Sequence, residues 1–269
     1  MGIFLRKLWQ NKPKQWGPFS VVQSALFHNL ERIGIDPQSC KLAMCFWNPG
    51  DQIDYAIADS YTNTGGVFNK NSINLNTVDN DRYIDTGKEY SNLANKYTII
   101  YKAEMLIGSS FFWGAYSAAN NDYDYGLYRS TTSGYSYYPT SGVAVSFDNN
   151  TFGDKTFCVT ADGTNVKTYL DGQYKNSVVN NVSLGANYNL VLGKRWRRTN
   201  YYFNHNADQS IIFNIPIAAS LIALLNENPW QLWQPRAATF YSFSDAASPT
   251  LLPIMMNMNQ FNGGIYETD

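Results

Sequence analysis

Several things are scarce in this chain. Cysteine occurs three times, as Cys40, Cys45 and Cys158. An odd, unpatterned set argues against a disulfide framework. Cys158 alternates with Phe157 and Val159 in a strand-like run and reads as a buried apolar residue. Cys40 and Cys45 are close enough in sequence to form a local bridge, with two free thiols as the alternative. Glutamate stands only at positions 31, 89, 104, 227 and 267, never on alternate residues of one strand. Paired-carboxylate glycan hydrolysis, which needs an acid and a nucleophile or base flanking the bond, therefore has no sequence support. The two histidines, His28 and His205, are far apart, and no Ser or Cys nucleophile motif lies near either. No phosphate loop, CxxC pair or HExxH motif is present. The formal net charge is −1, so no global steering toward nucleic acid or membrane is expected. The longest apolar run, Ile211–Leu225, is broken by Asn214 and Pro216 and is too short to span a bilayer. The opening MGIFLRKLW lacks a signal-peptide h-region and cleavage site, and Arg6 breaks the myristoylation pattern. The expectation is synthesis in a cytoplasm without ordinary secretion.

What is abundant points to β-structure. Aromatic residues make up 16%, with 20 tyrosines, and Asn, Ser, Thr and Gly fill the spaces between apolar runs. That composition suits strands joined by polar loops rather than a helical bundle. Strand-like runs fall at Leu42–Trp47, Ile73–Leu75, Arg82–Thr86, Tyr97–Met105, Phe111–Ala115, Tyr123–Arg129, Tyr135–Tyr138 and Val143–Phe147. Further runs are Ser177–Ser183, Tyr188–Gly193, Gln209–Asn214 and Ala238–Ser244. Many short strands with regular turns mean a sandwich or barrel. In KTFCVTADGTNVKTYLDGQY (155–174), Phe157–Thr160 and Asn165–Leu170 read as successive strands, with Asp171-Gly172 as a tight turn needing positive φ. One body helix is expected near 216–227, from the stripe Ile217, Leu221, Leu224, Leu225, with Pro216 in its first turn and Pro229 stopping it. Ser24–Ile33 is a second, short helical candidate.

In order, Tyr97–Met105, FCVTADGTNVKTYLDGQY, Leu190–Gly193, Gln209–Asn214, a short helix and Asn228-Pro229-Trp230-Gln231-Leu232 resemble the laminin-G-like, concanavalin-A-like jelly-roll family. The likeness covers roughly residues 40–236. The ending NPWQLWQPR (228–236) is similar to laminin-G-like proteins of tailed-bacteriophage and prophage structural clusters. The chain departs from the family in the helix, where Ala218 and Leu221 replace the usual Ser and Glu of a capping arrangement. The resemblance implies an all-β sandwich of two antiparallel sheets and a non-enzymatic role in a virion, as a capsid decoration or a tail or fibre component. Its partners would then be other virion proteins in a homo-oligomer. The alternative it implies is a carbohydrate-binding module for bacterial or mucosal glycans. The expected organisation is an N-terminal segment over 1–38, read either as a leader packed on the body or as an arm docked on a neighbouring subunit, a jelly-roll domain over 39–236, and a strand and tail over 237–269.

The best candidate ligand surface is NNDYDYGLYRSTTSGYSYY (120–138), with Asn120, Asn121, Asp122, Tyr123, Tyr125, Tyr128, Tyr135 and Tyr137. Tyrosine gives a flat apolar face with a hydroxyl rim, and amides adapt to hydroxyls. Ordinary cross-strand tyrosine pairing and subunit contact are the alternatives. Subunit-contact candidates are Trp9, Trp16 and Phe19 in the arm, and Arg195, Trp196, Arg197 and Arg198 in KRWRR, which suits an acidic neighbour or a solvated loop. No cofactor or metal is expected. Some laminin-G-like domains hold Ca²⁺, for which Asp122, Asp124, Asp148 and Asp154 are the oxygen-bearing candidates, against solvated turn aspartates. Trp230 and Trp233 read as packing for the helix end.

Overall fold

A computed structural model of the protein describes residues 19–46, 53–57, 59–68, 72–75, 82–89, 95–106, 110–116, 125–130, 134–140, 143–147, 151–179, 189–193, 205–234, 239–241 and 253–255. These residues form an all-β jelly-roll sandwich of two antiparallel sheets. The first sheet runs Gln173–Val179, Asn165–Leu170, Gly153–Asp162, Lys96–Met105, His205–Phe213, Ile73–Asn74, Val67–Phe68. Cys40–Cys45 also pairs with His205–Phe213. The second sheet runs Val143–Ser146, Gly134–Thr140, Tyr125–Ser130, Ser110–Tyr116, Asn189–Leu192, Tyr83–Glu89, Thr62–Thr64.

Two cores follow from strand alternation. Ile99, Tyr101, Ala103 and Met105 point between the sheets, where they meet Phe157, Val159, Leu127, Tyr137, Val145, Leu190 and Leu192. Ile100 and Cys158 point the other way, into a second core under the helices. The parity changes in the middle of His205–Phe213. Ala207 faces Ala103 and Gln209 faces Lys102, so Asp208 is an extra residue, a bulge. Without it Ile211 and Phe213 would share the side of Ala207. With it they turn to the helix side, and Ser210 and Ile212 continue the inner row.

The helix layer agrees with the reading of the N-terminal segment as packed on the body. A helix spans Phe19–Arg32, and its Val22, Leu26 and Leu30, with Ile35 after it, are buried on the first sheet. The N-terminal segment is therefore part of the folded body from residue 19 onward. A buried Asn29 donates through Nδ2 to the carbonyls of Leu232 (3.2 Å) and Gln234 (3.0 Å), clasping the NPWQLWQ segment. Trp233 is fully buried, its Nε1 donating to Gln209 Oε1 at 2.6 Å and its ring 5.5 Å from that of Tyr55. Trp230 and Leu232 are buried with it, as packing residues.

The second helix spans Ala219–Glu227, and Ala218 offers no side-chain cap. The sheet sets its entry instead. Thr98 Oγ1 donates to Ile215 O (2.8 Å) and accepts from Ile217 N (2.9 Å). The hairpin at 155–174 forms as its turn residues require. Asp171 and Gly172 have φ of 51° and 78°, the two positive values of a type I′ turn. A Cβ on Gly172 would lie 3.0 Å from Asn226 Cβ, so this turn also seats the second helix. All three cysteines are buried, and none of them is in a disulfide. Cys40 and Cys45 end one strand, about 16 Å apart at the rise of an extended chain, well beyond disulfide reach. In the tail, Thr239–Tyr241 pairs with Pro253–Met255.

Candidate functional site

The tyrosine-rich stretch becomes two adjacent strands, Tyr125–Ser130 and Gly134–Thr140, paired Leu127 to Tyr137 and Arg129 to Tyr135. Alternation turns Tyr135 and Tyr137 inward, and both are 0% exposed. Tyr137 shares a 2.9 Å hydrogen bond with the hydroxyl of Tyr97. Tyr135 packs 4.9 Å from the ring of Phe157 and donates to Thr151 O at 2.9 Å. These two are core residues and not ligand contacts. Tyr128 has the opposite parity and lies half-buried on the outer face, edge-on to Tyr138 at 6.3 Å. Beside this pair the outer row runs Tyr138, Gly126, Gly114, Val191, Asp85, Thr62 across six strands. The two glycines place no side chain on that face.

Tyr125 opens its strand and Phe19 its helix, with side chains outside the described residues. Asn120, Asn121, Asp122, Tyr123, Trp9, Trp16, Arg195, Trp196, Arg197 and Arg198 lie outside them altogether, as do Asp124 and Asp148. Asp154 is described and exposed. Among the described residues no group of three His, Cys, Asp or Glu side chains is placed to hold a metal ion.

Two features escaped the sequence reading. Arg129 is buried, its guanidinium carbon 4.3 Å from the ring centre of Phe152 and 5.5 Å from that of Tyr135, a stacked cation–π arrangement. The only signal was its inward parity with Leu127. The second is a polar row on the helix-side face of the first sheet, at the end the helices do not cover. Asp154, Glu104, Asn206, Asn74 and Val67 are direct cross-strand neighbours on five adjacent strands. Arg82 Nη1 donates to Asn74 Oδ1 (3.1 Å), Asn74 Nδ2 to Asn206 Oδ1 (2.8 Å), and Asn206 Nδ2 to Glu104 Oε2 (2.8 Å). Beneath that row His205 points inward, fully buried, with Nε2 2.7 Å from Tyr101 Oη. Burial disfavours its charged form and lowers its pKa from 6.5 to about 3. The same burial raises the Tyr101 phenol well above its ordinary value, with the Asp208 charge adding to it.

No protein-family model matches the sequence, and no curated protein is similar to it. Solved structures do match in fold. The sialidase of Trypanosoma rangeli aligns with a TM-score of 0.56 at 14% identity, over 72% of this chain and 33% of the sialidase. Domain 4 of AbnA, a GH43 extracellular arabinanase from Geobacillus stearothermophilus, aligns with a TM-score of 0.52 at 16% identity, over 70% of this chain and 98% of that domain. The binding domain of botulinum neurotoxin DC aligns at 0.55 and 10% identity, over 76% of this chain and 54% of that one. This chain thus spans about a third of the sialidase it matches. At these identities the likeness is one of fold, a β-sandwich.

Proposed function

We propose that this protein is a non-catalytic structural component of a tailed-phage particle, a capsid decoration or a tail or fibre part. The observation that carries this reading is the Asn228–Gln234 segment. Its NPWQL ending bears the resemblance to phage structural proteins, and it is built into the body by Asn29, Gln209 and the Tyr55–Trp233 ring contact. A segment held at that many points closes a scaffold. The partners in this reading are other virion proteins and further copies of the chain. The non-catalytic part draws support from the facing pair Glu104 and Asp154. Glu104 is engaged by Asn206, and both side chains stand on an open, exposed face rather than in a closed cleft. The test is the purified particle. Mass spectrometry and cryo-electron microscopy should find the protein in ordered copy number, and its absence from purified virions would sink the proposal.

A second reading, glycan binding, has support of its own. The matched arabinanase domain was solved with arabinotriose, the matched toxin domain with SialylT, and the matched sialidase also with sialic acid. This sandwich leaves polar side chains exposed on its first sheet and a tyrosine pair on the outer face of its second. A glycan array probed with the full chain tests it, and no binding to any sugar would remove this second reading.

A further inference from the structure

We infer that the row Asp154, Glu104, Asn206, Asn74 with Arg82 is a binding platform for a neutral, hydroxyl-rich oligosaccharide lying across the strands. The inference rests on the glycan-binding reading above and assigns it a site away from the tyrosines that sequence reasoning favours. Four observations carry it.

The first is access. Glu104 and Asp154 are exposed, and Asn206, Asn74 and Arg82 are half-buried. They lie on the face whose other end is roofed by Leu26, Leu30 and Trp233. The second is regularity. Five adjacent strands spaced about 4.8 Å apart give a straight row about 19 Å long. That suits a chain of sugar rings, each contributing hydroxyls at a regular interval.

The third is preorganisation. The relay Arg82 to Asn74 to Asn206 to Glu104 runs donor to acceptor in one direction and fixes both amide planes and the carboxylate. A sugar hydroxyl both donates and accepts, so it can add to such a relay, and prefixed side chains lose little rotamer freedom on binding. Glu104 Oε2 is taken, which leaves its other oxygen for a hydroxyl donor. Val67, exposed at the end of the row beyond Asn74, offers an apolar surface for sugar C–H groups.

The fourth is charge. Two carboxylates, Asp154 and Glu104, stand against two cations, Arg82 and Lys102, the latter next along the same strand face as Glu104. The balance disfavours a polyanion, which Asp154 and Glu104 would repel, and favours an uncharged ligand.

The experiment is an array of neutral tetrasaccharides (cello-, malto-, arabino- and N-acetylchito-oligosaccharides) beside sialylated and sulfated glycans, probed with the full chain and followed by titration calorimetry on the best binder. The expected result is binding to a neutral tetrasaccharide. Asn206→Ala and Asn74→Ala should each weaken it by roughly tenfold, the loss of about one well-made hydrogen bond. Asn206→Asp, which keeps the shape but removes the amide donor to Glu104, should weaken it as well. Melting curves establish that each variant is folded before its affinity is read, and Asn206→Asp carries the test if an alanine variant fails to fold. Neutral-sugar binding indifferent to all three Asn variants would overturn this site and leave the glycan reading standing. Binding confined to sialylated or sulfated glycans would overturn the ligand class. No binding at all would overturn both the site and the reading beneath it.

Discussion

One face of the first sheet has two ends that differ in kind, although the same two strands, Lys96–Met105 and His205–Phe213, run through both. At one end Ile100, Ile211 and Phe213 are buried under two helices and Trp233. At the other Glu104, Asn206 and Asn74 meet water in a hydrogen-bonded row. The difference shows that burial belongs to what covers a strand and not to the strand itself. The changeover falls at the Asp208 bulge, which lets Asn206 and Gln209 both point to the helix side, one into water and one toward Trp233. The roofed end serves stability and the open end is available for recognition.

The strongest way to break this contrast is to remove the roof. Trp233→Ala should cost about 3–5 kcal/mol, because a large, fully buried ring and its bond to Gln209 are lost together. Urea unfolding would show it as a lower midpoint, and an unchanged midpoint would mean that the helix layer is not part of the cooperative unit. Truncation sharpens the same point. Removing residues 1–38 deletes Val22, Leu26, Leu30 and Ile35 from the second core and should lower the melting temperature.

Acid should act from beneath the open end. His205 is held neutral by burial, with its pKa down at about 3 against 6.5 in an unfolded chain. Between those values the unfolded state binds a proton that the folded state does not. His205 therefore leaves stability at its full value above pH 6.5, and stability falls as pH drops from 6.5 toward 3, by up to about 1.4 kcal/mol per pH unit. His205→Gln should flatten that part of the profile measured by chemical denaturation. A slope identical to that of the parent protein would refute this role.

Smaller effects lie at the hairpin and the polar row. Gly172→Ala should cost about 1–3 kcal/mol, since φ is +78° and the new methyl would crowd Asn226 and Ala223. Calorimetric melting would detect it. Asn206→Ala should change stability by about 1 kcal/mol or less, the value of a partly exposed hydrogen bond. A large loss there would make the row structural, and the two ends of the face would no longer differ in role.

Much of the fold was legible from residue patterns. Tyr97–Met105 and Asn165–Leu170 are strands because β-branched and aromatic residues alternate there, and Asp171-Gly172 turns because those residues accept positive φ. The site was legible only in part. Tyrosines 128, 135 and 137 were recognisable as strand residues. Which of them faced water depended on parity against a second sheet that no local pattern records. The polar row joins residues 74, 104, 154 and 206, which are distant in sequence and adjacent only through sheet register.

Local chemistry by itself determined many of the strands, the tight turn at Asp171-Gly172 and the short helix after Pro216, because each depends on neighbouring side chains and backbone preference. Tertiary structure decided between the two readings of the N-terminal segment, which from Phe19 onward roofs the first sheet. It also decided that Trp233 closes that roof, and that Asp208 reverses the parity of the strand after it. Those outcomes depend on which surfaces meet and which strands pair, and such long-range contacts leave no periodic trace in the chain.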